Sequence, residues 1–333
     1  MNLSVFSHRK SSASIITALT ILLGLSLQTF LNVTLPDRLQ DTVTLTLGIL
    51  YEALPFVFLG VFISVIVQQY VPQHILLKLL PRKGFLRRPL LSLCGTFLPV
   101  CECGNVPLAR GLIAKGLKPA EVMTFLFAAP IINPVTIYTT TQAFPADPII
   151  VVVRVVAAFI IANAIGYLFA RYTEKELLTE DFQGYCATHG ETEEPKTGIK
   201  KRLQDFTSSF VEEASLLMPA LVGGSIIAGA IQTTLPRNIL QTISSEPVLA
   251  IAALIGLAFI ISICANVDAF FALSLSSIFP TSAIVAFLVF GPMIDIKMLA
   301  LLKTTFKTQV LTYVSLFVLL SCFATGLVVH YAF

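Results

Sequence analysis

Apolar residues run along this chain in blocks at about 13–34, 43–70, 90–109, 120–142, 148–170, 214–235, 248–279, 281–302 and 309–331. Several approach the ~20 residues that a helix needs to cross a bilayer, and the residues that interrupt them are Gly, Pro and Asn, without the alternation of a β-barrel. The pattern predicts an all-α polytopic membrane protein. One long polar stretch, residues 171–211, separates the blocks and is charged enough to read as a cytoplasmic linker with partial disorder. The first apolar run extends to about Phe30 without a small-x-small cleavage site, so it reads as a retained helix. The expected organisation is an N-terminal transmembrane helix (1–42), a first transmembrane repeat (43–170), the linker (171–211) and a second repeat (212–333).

The word repeat rests on residues that are scarce in such a composition. At a near-constant separation, Pro55, Gly60, Gln68 and Pro72 match Pro219, Gly224, Gln232 and Pro236. Further on, Gly95, Cys103 and Asn105 match Gly256, Cys264 and Asn266, and Pro130 matches Pro292. Leu and Ile coincidences would carry little weight, whereas aligned Pro, Gly, Gln, Cys and Asn do.

Composition agrees with the blocks. Of 333 residues, 56% are hydrophobic and 12% charged, against about 25% charged in an ordinary soluble domain, and the mean hydropathy is +0.85. A net charge of +3 gives no basic surface for nucleic acid, and the lysines and arginines cluster in a few places. Residues 71–90 carry Lys78, Arg82, Lys83, Arg87 and Arg88, and residues 110–119 carry Arg110, Lys115 and Lys118. With the linker, these segments are expected to be cytoplasmic, and residues 143–147 and 236–247 outside. Both flanks of 90–109 then lie inside, so that segment reads as a re-entrant hairpin, with 248–279 as its counterpart from the outside. Three crossings and one re-entrant element per repeat make the second repeat inverted, the arrangement of secondary transporters with a site near the midplane. Nine plain crossings are the alternative.

The two hairpins carry VCECGNVP and ISICANVD. Irregular backbone at membrane depth persists only where protein or water satisfies it, so these stretches should line a cavity. Cys101 then pairs with Ser262, Cys103 with Cys264 and Asn105 with Asn266, while Glu102 stands opposite Ile263. Thiolates are soft ligands for Cu(I), Zn or thiophilic species, and a carboxylate at membrane depth is expensive unless paired, protonated or wet. Cys101, Glu102, Cys103 and Cys264 are therefore candidate substrate contacts, with a wet cytoplasmic vestibule near Arg110 as the plain explanation of Glu102. The asparagines could equally satisfy freed backbone groups. Downstream, APIINPV places Asn133 where FGPMIDI places Asp295. Asp268 and Asp295 are candidates for carrying a coupling proton or cation, although Asp295 could form a simple salt bridge with Lys297. Arg154, in VVVRVV, reads as a snorkelling residue near the outer face or as a partner for one of these acids. Cys94 and Cys322 read as small hydrophobes, and Cys186 with His189 as part of a solvated loop. No Walker A loop, Rossmann fingerprint or catalytic motif occurs, so no cofactor and no enzymatic activity is expected.

LPVCECGNVPLARGL, APIINPVT, ANVDAFFALS and FGPMIDIKM together resemble the bacterial predicted-permease family named for its organoarsenical efflux members, over roughly residues 45–333. The resemblance implies a permease of the bacterial plasma membrane that exports trivalent arsenic or antimony species with the help of cysteines. The expected partners are a thiophilic inorganic or organometalloid substrate, a coupling proton or cation and the lipid bilayer, with a homo-oligomer left open. The charge distribution places the N-terminus in the cytoplasm. The competing readings are a permease or channel for another small solute with packing cysteines, and a membrane thiol oxidoreductase or complex subunit.

Overall fold

The computed structural model describes residues 37–70, 81, 84–97, 101–189, 199–234 and 246–332. The expected first helix at 13–34 lies outside them, as do Lys78, Arg82, Lys83, Pro72, Pro236 and Arg237. The described chain is helical, and its only bridge between extended residues joins Leu178 and Phe306. The helices are α1 (Asp37–Tyr70), α2 (Gly84–Leu93), α3 (Glu102–Ala114), α4 (Pro119–Ala128), α5 (Pro134–Ala143), α6 (Pro148–Leu168), α7 (Glu174–Leu177) and α8 (Glu180–His189). The second half continues with α9 (Ile199–Thr234), α10 (Pro247–Ile261), α11 (Asp268–Leu275), α12 (Thr281–Phe290), α13 (Ile296–Leu302) and α14 (Thr308–Ala332). Helices α1 and α9 extend past the expected boundaries at 43 and 212.

Among the described residues, four helical spans, Arg38–Tyr70, Pro148–Arg171, Leu203–Thr233 and Thr308–Ala332, are long and apolar enough to cross a bilayer. The shortest has 24 residues, about 36 Å at 1.5 Å per residue, against a hydrocarbon core of about 30 Å. Each of the other four apolar blocks within the described residues is interrupted, giving the half-helix pairs α2/α3, α4/α5, α10/α11 and α12/α13. Gly, Pro, Asn and Asp stand at or beside the interruptions, where helix continuation costs most.

Packing follows the sequence match. Within the first half α2, α4 and α6 pack on one another and α3 packs on α4; within the second half α10, α12 and α14 do the same, and α11 packs on α12. Between the halves α3 meets α13, and α11 meets α5. The matched long helices α1 and α9 lie side by side and antiparallel. Thr42 meets Thr233 at one end, Phe58 and Phe62 meet Phe210 and Phe206 further along, and Gln69 meets Ser209 at the other end. Each buries one stripe at helical spacing, Leu50, Ala53, Val57, Val61 and Val65 on α1 and Ala214, Leu217, Leu221 and Ala228 on α9.

Three expectations change. The polar stretch 171–211 is not merely a linker: α7 and α8 fold within it, and Leu177, Leu178, Phe182 and Tyr185 are buried. Arg110 and Lys115 are not loop cations but buried residues of α3 and its C-terminus, so only Lys118 of that trio is exposed. Of the two readings of Arg154, the structure has the partner for an acid and not the snorkelling residue, because its guanidinium is buried and donates to Asp268 and Thr140.

Candidate functional site

The site forms where the broken helices of the two halves meet. Cys101 is the N-cap of α3, in extended conformation, and Glu102 is the helix's first residue. A carboxylate there faces the positive end of the helix dipole. One residue on, Cys103 is fully buried. From the second half, α10 ends at Ser262, whose φ of 53° makes it the one non-glycine residue in the left-handed region among the described residues. Such a conformation costs roughly 1–2 kcal/mol and turns the chain so that Cys264 enters the site from the gap between α10 and α11. Gln232 of α9 supports the turn by donating to the carbonyls of Ile260 and Ile261, two of the acceptors that a helix end leaves open.

The parts converge on Lys297, in the first turn of α13. Its ammonium lies 3.3 Å from Glu102 Oε1, 3.3 Å from the Ser262 carbonyl and 3.8 Å from Asp295 Oδ2. The thiol of Cys264 is 3.7 Å from Glu102 Oε2. Ligand atoms of Cys101, Glu102 and Cys264 lie within 4.8 Å of one another, and the Cys101 thiol is close enough to interact with both Cys103 and Cys264. All six cysteines are free. Three thiols, a carboxylate and a lysine thus share one buried volume between the halves. Glu52, on α1, completes it: the half-buried carboxyl accepts from the Cys264 backbone N–H and lies in the field of Lys297 and Glu102.

Not every expected residue takes part. Cys101, Glu102, Cys103, Cys264, the Ser262 carbonyl and, through Lys297, Asp295 come together. Asn133 and Asp295 instead share a structural task at their matched positions. Asn133 caps α5 by accepting from the Val135 N–H at 2.9 Å, and Asp295 caps α13 by accepting from the Met298 N–H. The Asp295–Lys297 salt bridge coexists with that cap, with Oδ2 left for the ammonium. Asn105 is buried on α3 one turn past Cys101. Asn266 lies at the other crossing of the halves, where its Oδ1 is 3.2 Å from Thr136 Oγ1, and Asp268 is there too, paired with Arg154. Glu102 is not in a wet vestibule beside Arg110, since it is buried against Lys297 while Arg110 is paired with Glu213.

The same crossing is therefore built twice with different contents. The α3/α13 crossing holds sulfur, carboxylate and ammonium; the α11/α5 crossing holds Thr136, Asn266, Asp268 and Arg154. Four participants are missing from the sequence-derived candidates: Glu52, Arg110 and Glu213, and Lys297 as the centre of the site. The available signal was ionisable residues inside apolar blocks, which at membrane depth are expensive and seldom incidental. In the linker, Cys186 is half-buried on α8 instead of solvated, and burial pushes its thiol up to about 11.

A family model described as "Predicted permease" matches residues 38–331. The chain belongs to the predicted-permease family. It is 34% identical over 278 residues to the UPF0718 protein YcgR of Bacillus subtilis, covering 82% of this chain and 92% of that protein. It is 32% identical over 299 residues to a Streptococcus mutans protein named "Putative two-component membrane permease complex subunit", covering 88% of this chain and 97% of that one. No solved structure matches. This permease is a multi-pass membrane protein, and the matched span runs from the first turn of α1 to the last turn of α14.

Proposed function

We propose that this permease is a secondary transporter that exports a thiophilic metalloid or soft-metal species, of the trivalent arsenic or antimony type, from the cytoplasm across a bacterial inner membrane. The observation that carries the reading is the meeting of Cys101 and Cys103 from one half with Cys264 from the other, buried at broken helix ends. Soft thiol donors select soft acceptors. Each thiol that displaces a hydroxyl from a neutral trivalent arsenic hydroxide releases one water, so loading the site requires no change of net charge. Thiols contributed by opposite halves can be drawn apart when the halves move, which gives a route to release. The antiparallel packing of α1 on α9 supports inverted repeats, with the linker and the N-terminus on the cytoplasmic side. Proton movement through Glu102, Asp268 or Asp295 would supply the energy, and all three are buried beside a cation.

Expression in a metalloid-sensitive bacterium tests this directly. The wild type should confer resistance to arsenite, antimonite or methylated trivalent arsenicals, and replacing Cys101, Cys103 or Cys264 with Ser should remove it. Resistance that survives all three substitutions sinks the thiol mechanism. A second reading, favoured by the name of the Streptococcus mutans relative, is that the chain works as one subunit of a two-component membrane permease complex. Resistance conferred by this chain alone in a heterologous host contradicts an obligate partner.

A further inference from the structure

Among the described residues, three buried ion pairs join the two halves: Arg110 with Glu213, Lys297 with Glu102, and Arg154 with Asp268. Buried pairs add little net stability over apolar packing of the same shape, so stability does not explain why this interface holds three. An ionic interface has a property that an apolar one lacks. Opened to water, its charges regain hydration, so closed and open arrangements can both be low in energy.

The pairs sit at different places along the contact between the halves. Glu102 and the thiols occupy the start of α3, and Arg110 lies two turns further along, about 12 Å away. That end of α3 faces the segment that carries α7 and α8. Beyond the thiols in the other direction, Asp268 opens α11, four residues after Cys264, and meets Arg154 in the second turn of α6. One pair therefore lies at the end of α3 that packs on the linker helix α8, and the other near the end of α6 farthest from the linker.

The linker-side pair has a cover. The rings of Phe182 and Tyr185 on α8 lie 4.3 and 5.4 Å from the Arg110 guanidinium carbon. Arg110 also donates to the Thr304 carbonyl and to Thr305 Oγ1, and the Tyr185 hydroxyl donates to Gln68 Oε1 at 3.0 Å. Just before α8, the Thr179 N–H donates to the Thr305 carbonyl and the Lys307 N–H donates to the Leu177 carbonyl, both at 3.0 Å. The linker is thus fastened to both halves across the mouth of the Arg110 pair. Both pairs keep polar atoms without a hydrogen-bond partner among the described residues, Glu213 Oε2 in the linker-side pair and Asp268 Oδ1 and Arg154 Nε in the other, which leaves each capacity for water.

We infer that Arg110–Glu213 and Arg154–Asp268 are the cytoplasmic and external gates of one pathway through the cysteine site, and that α8 is the latch of the cytoplasmic gate. The inference rests on the proposed pathway through the three thiols but not on the identity of what they carry.

The experiment uses full-length protein with Cys94, Cys186 and Cys322 replaced by Ala, so that only the site thiols remain. Their labelling by a membrane-impermeant methanethiosulfonate is followed in inside-out and right-side-out vesicles. Glu213→Gln should raise the rate about tenfold from the cytoplasmic face alone, and Asp268→Asn about tenfold from the external face alone; tenfold corresponds to a 1.4 kcal/mol shift in the closed–open equilibrium. Phe182→Ala with Tyr185→Ala changes only the linker, so it tests the latch even if the core variants fail to reach the membrane. It too should accelerate cytoplasmic labelling alone. Acceleration from both faces, from the wrong face or from neither overturns the gates. Arsenite added to the wild type separates the two readings: side-specific acceleration without arsenite protection leaves the gates standing and removes the metalloid.

Discussion

Lys297 sits between Glu102, Asp295 and the Ser262 carbonyl with no exposed surface to speak of, and at this scale its charge decides what the site tolerates. Removing one partner of a buried pair leaves the other uncompensated, at a cost of roughly 3–5 kcal/mol. Lys297→Met is therefore expected to lower the unfolding temperature strongly in detergent, and adding Glu102→Gln should recover part of the loss. Additive losses in that double-mutant cycle would show that the pair is not coupled. Cys186 gives a pH prediction. The thiolate is the reactive form, and a thiol held up near 11 stays protonated at neutral pH. Alkylation of Cys186, with the other five cysteines replaced, should keep rising about tenfold per pH unit beyond pH 8.5, where a free thiol begins to level off. The same sign makes any stabilisation from its burial complete below about 8.5 and lost as pH approaches 11. A plateau near pH 8.5 would mean that α8 is not docked.

Among the elements, the matched glycines of the two long helices explain how the half-helices reach the site. A Cβ at Gly60 would stand 2.2 Å from the Gly104 carbonyl oxygen, and one at Gly224 would stand 2.8 Å from Ala300 Cβ and 3.2 Å from Lys297 Cα. Glycine here permits close approach of the helices that carry Cys103 and Lys297. Gly60→Ala should displace α3 and abolish transport, while Gly48→Ala, whose Cβ would meet nothing within 4 Å, should leave it unchanged. Loss of transport in both, or in neither, would remove this role. The breaks themselves were legible in the sequence, because Gly, Pro and Asn inside apolar blocks have few other uses. The caps at Asn133 and Asp295 were legible as matched positions but not as caps, since a polar side chain at a break can serve backbone or substrate equally well.

For the whole molecule, an all-α membrane fold was readable from the apolar blocks. The charge pairs were not. Arg110 and Lys115 count as topology signals in a linear tally, and Arg154 in VVVRVV reads equally as a residue reaching for the interface or as a partner for one of the acids, without saying which acid. Their partners Glu213 and Asp268 lie in the other half of the chain, and only packing reveals that α3 and α6 meet it. The antiparallel register of α1 and α9 is itself open to test. Thr42 and Thr233 approach to 3.1 Å between hydroxyls, so cysteines at both positions should cross-link and hold the halves together after proteolysis of the linker, whereas a parallel arrangement would give two separate fragments.

The central claim is that the three thiols carry the cargo across the membrane. The most direct measurement is accumulation of trivalent arsenic, counted by elemental analysis, in proteoliposomes that contain the purified chain and an imposed proton gradient. Accumulation that requires the protein and disappears in Cys101→Ser, Cys103→Ser and Cys264→Ser variants of normal stability is the predicted result. Accumulation equal to that of protein-free liposomes, or unchanged in the folded triple variant, would contradict it.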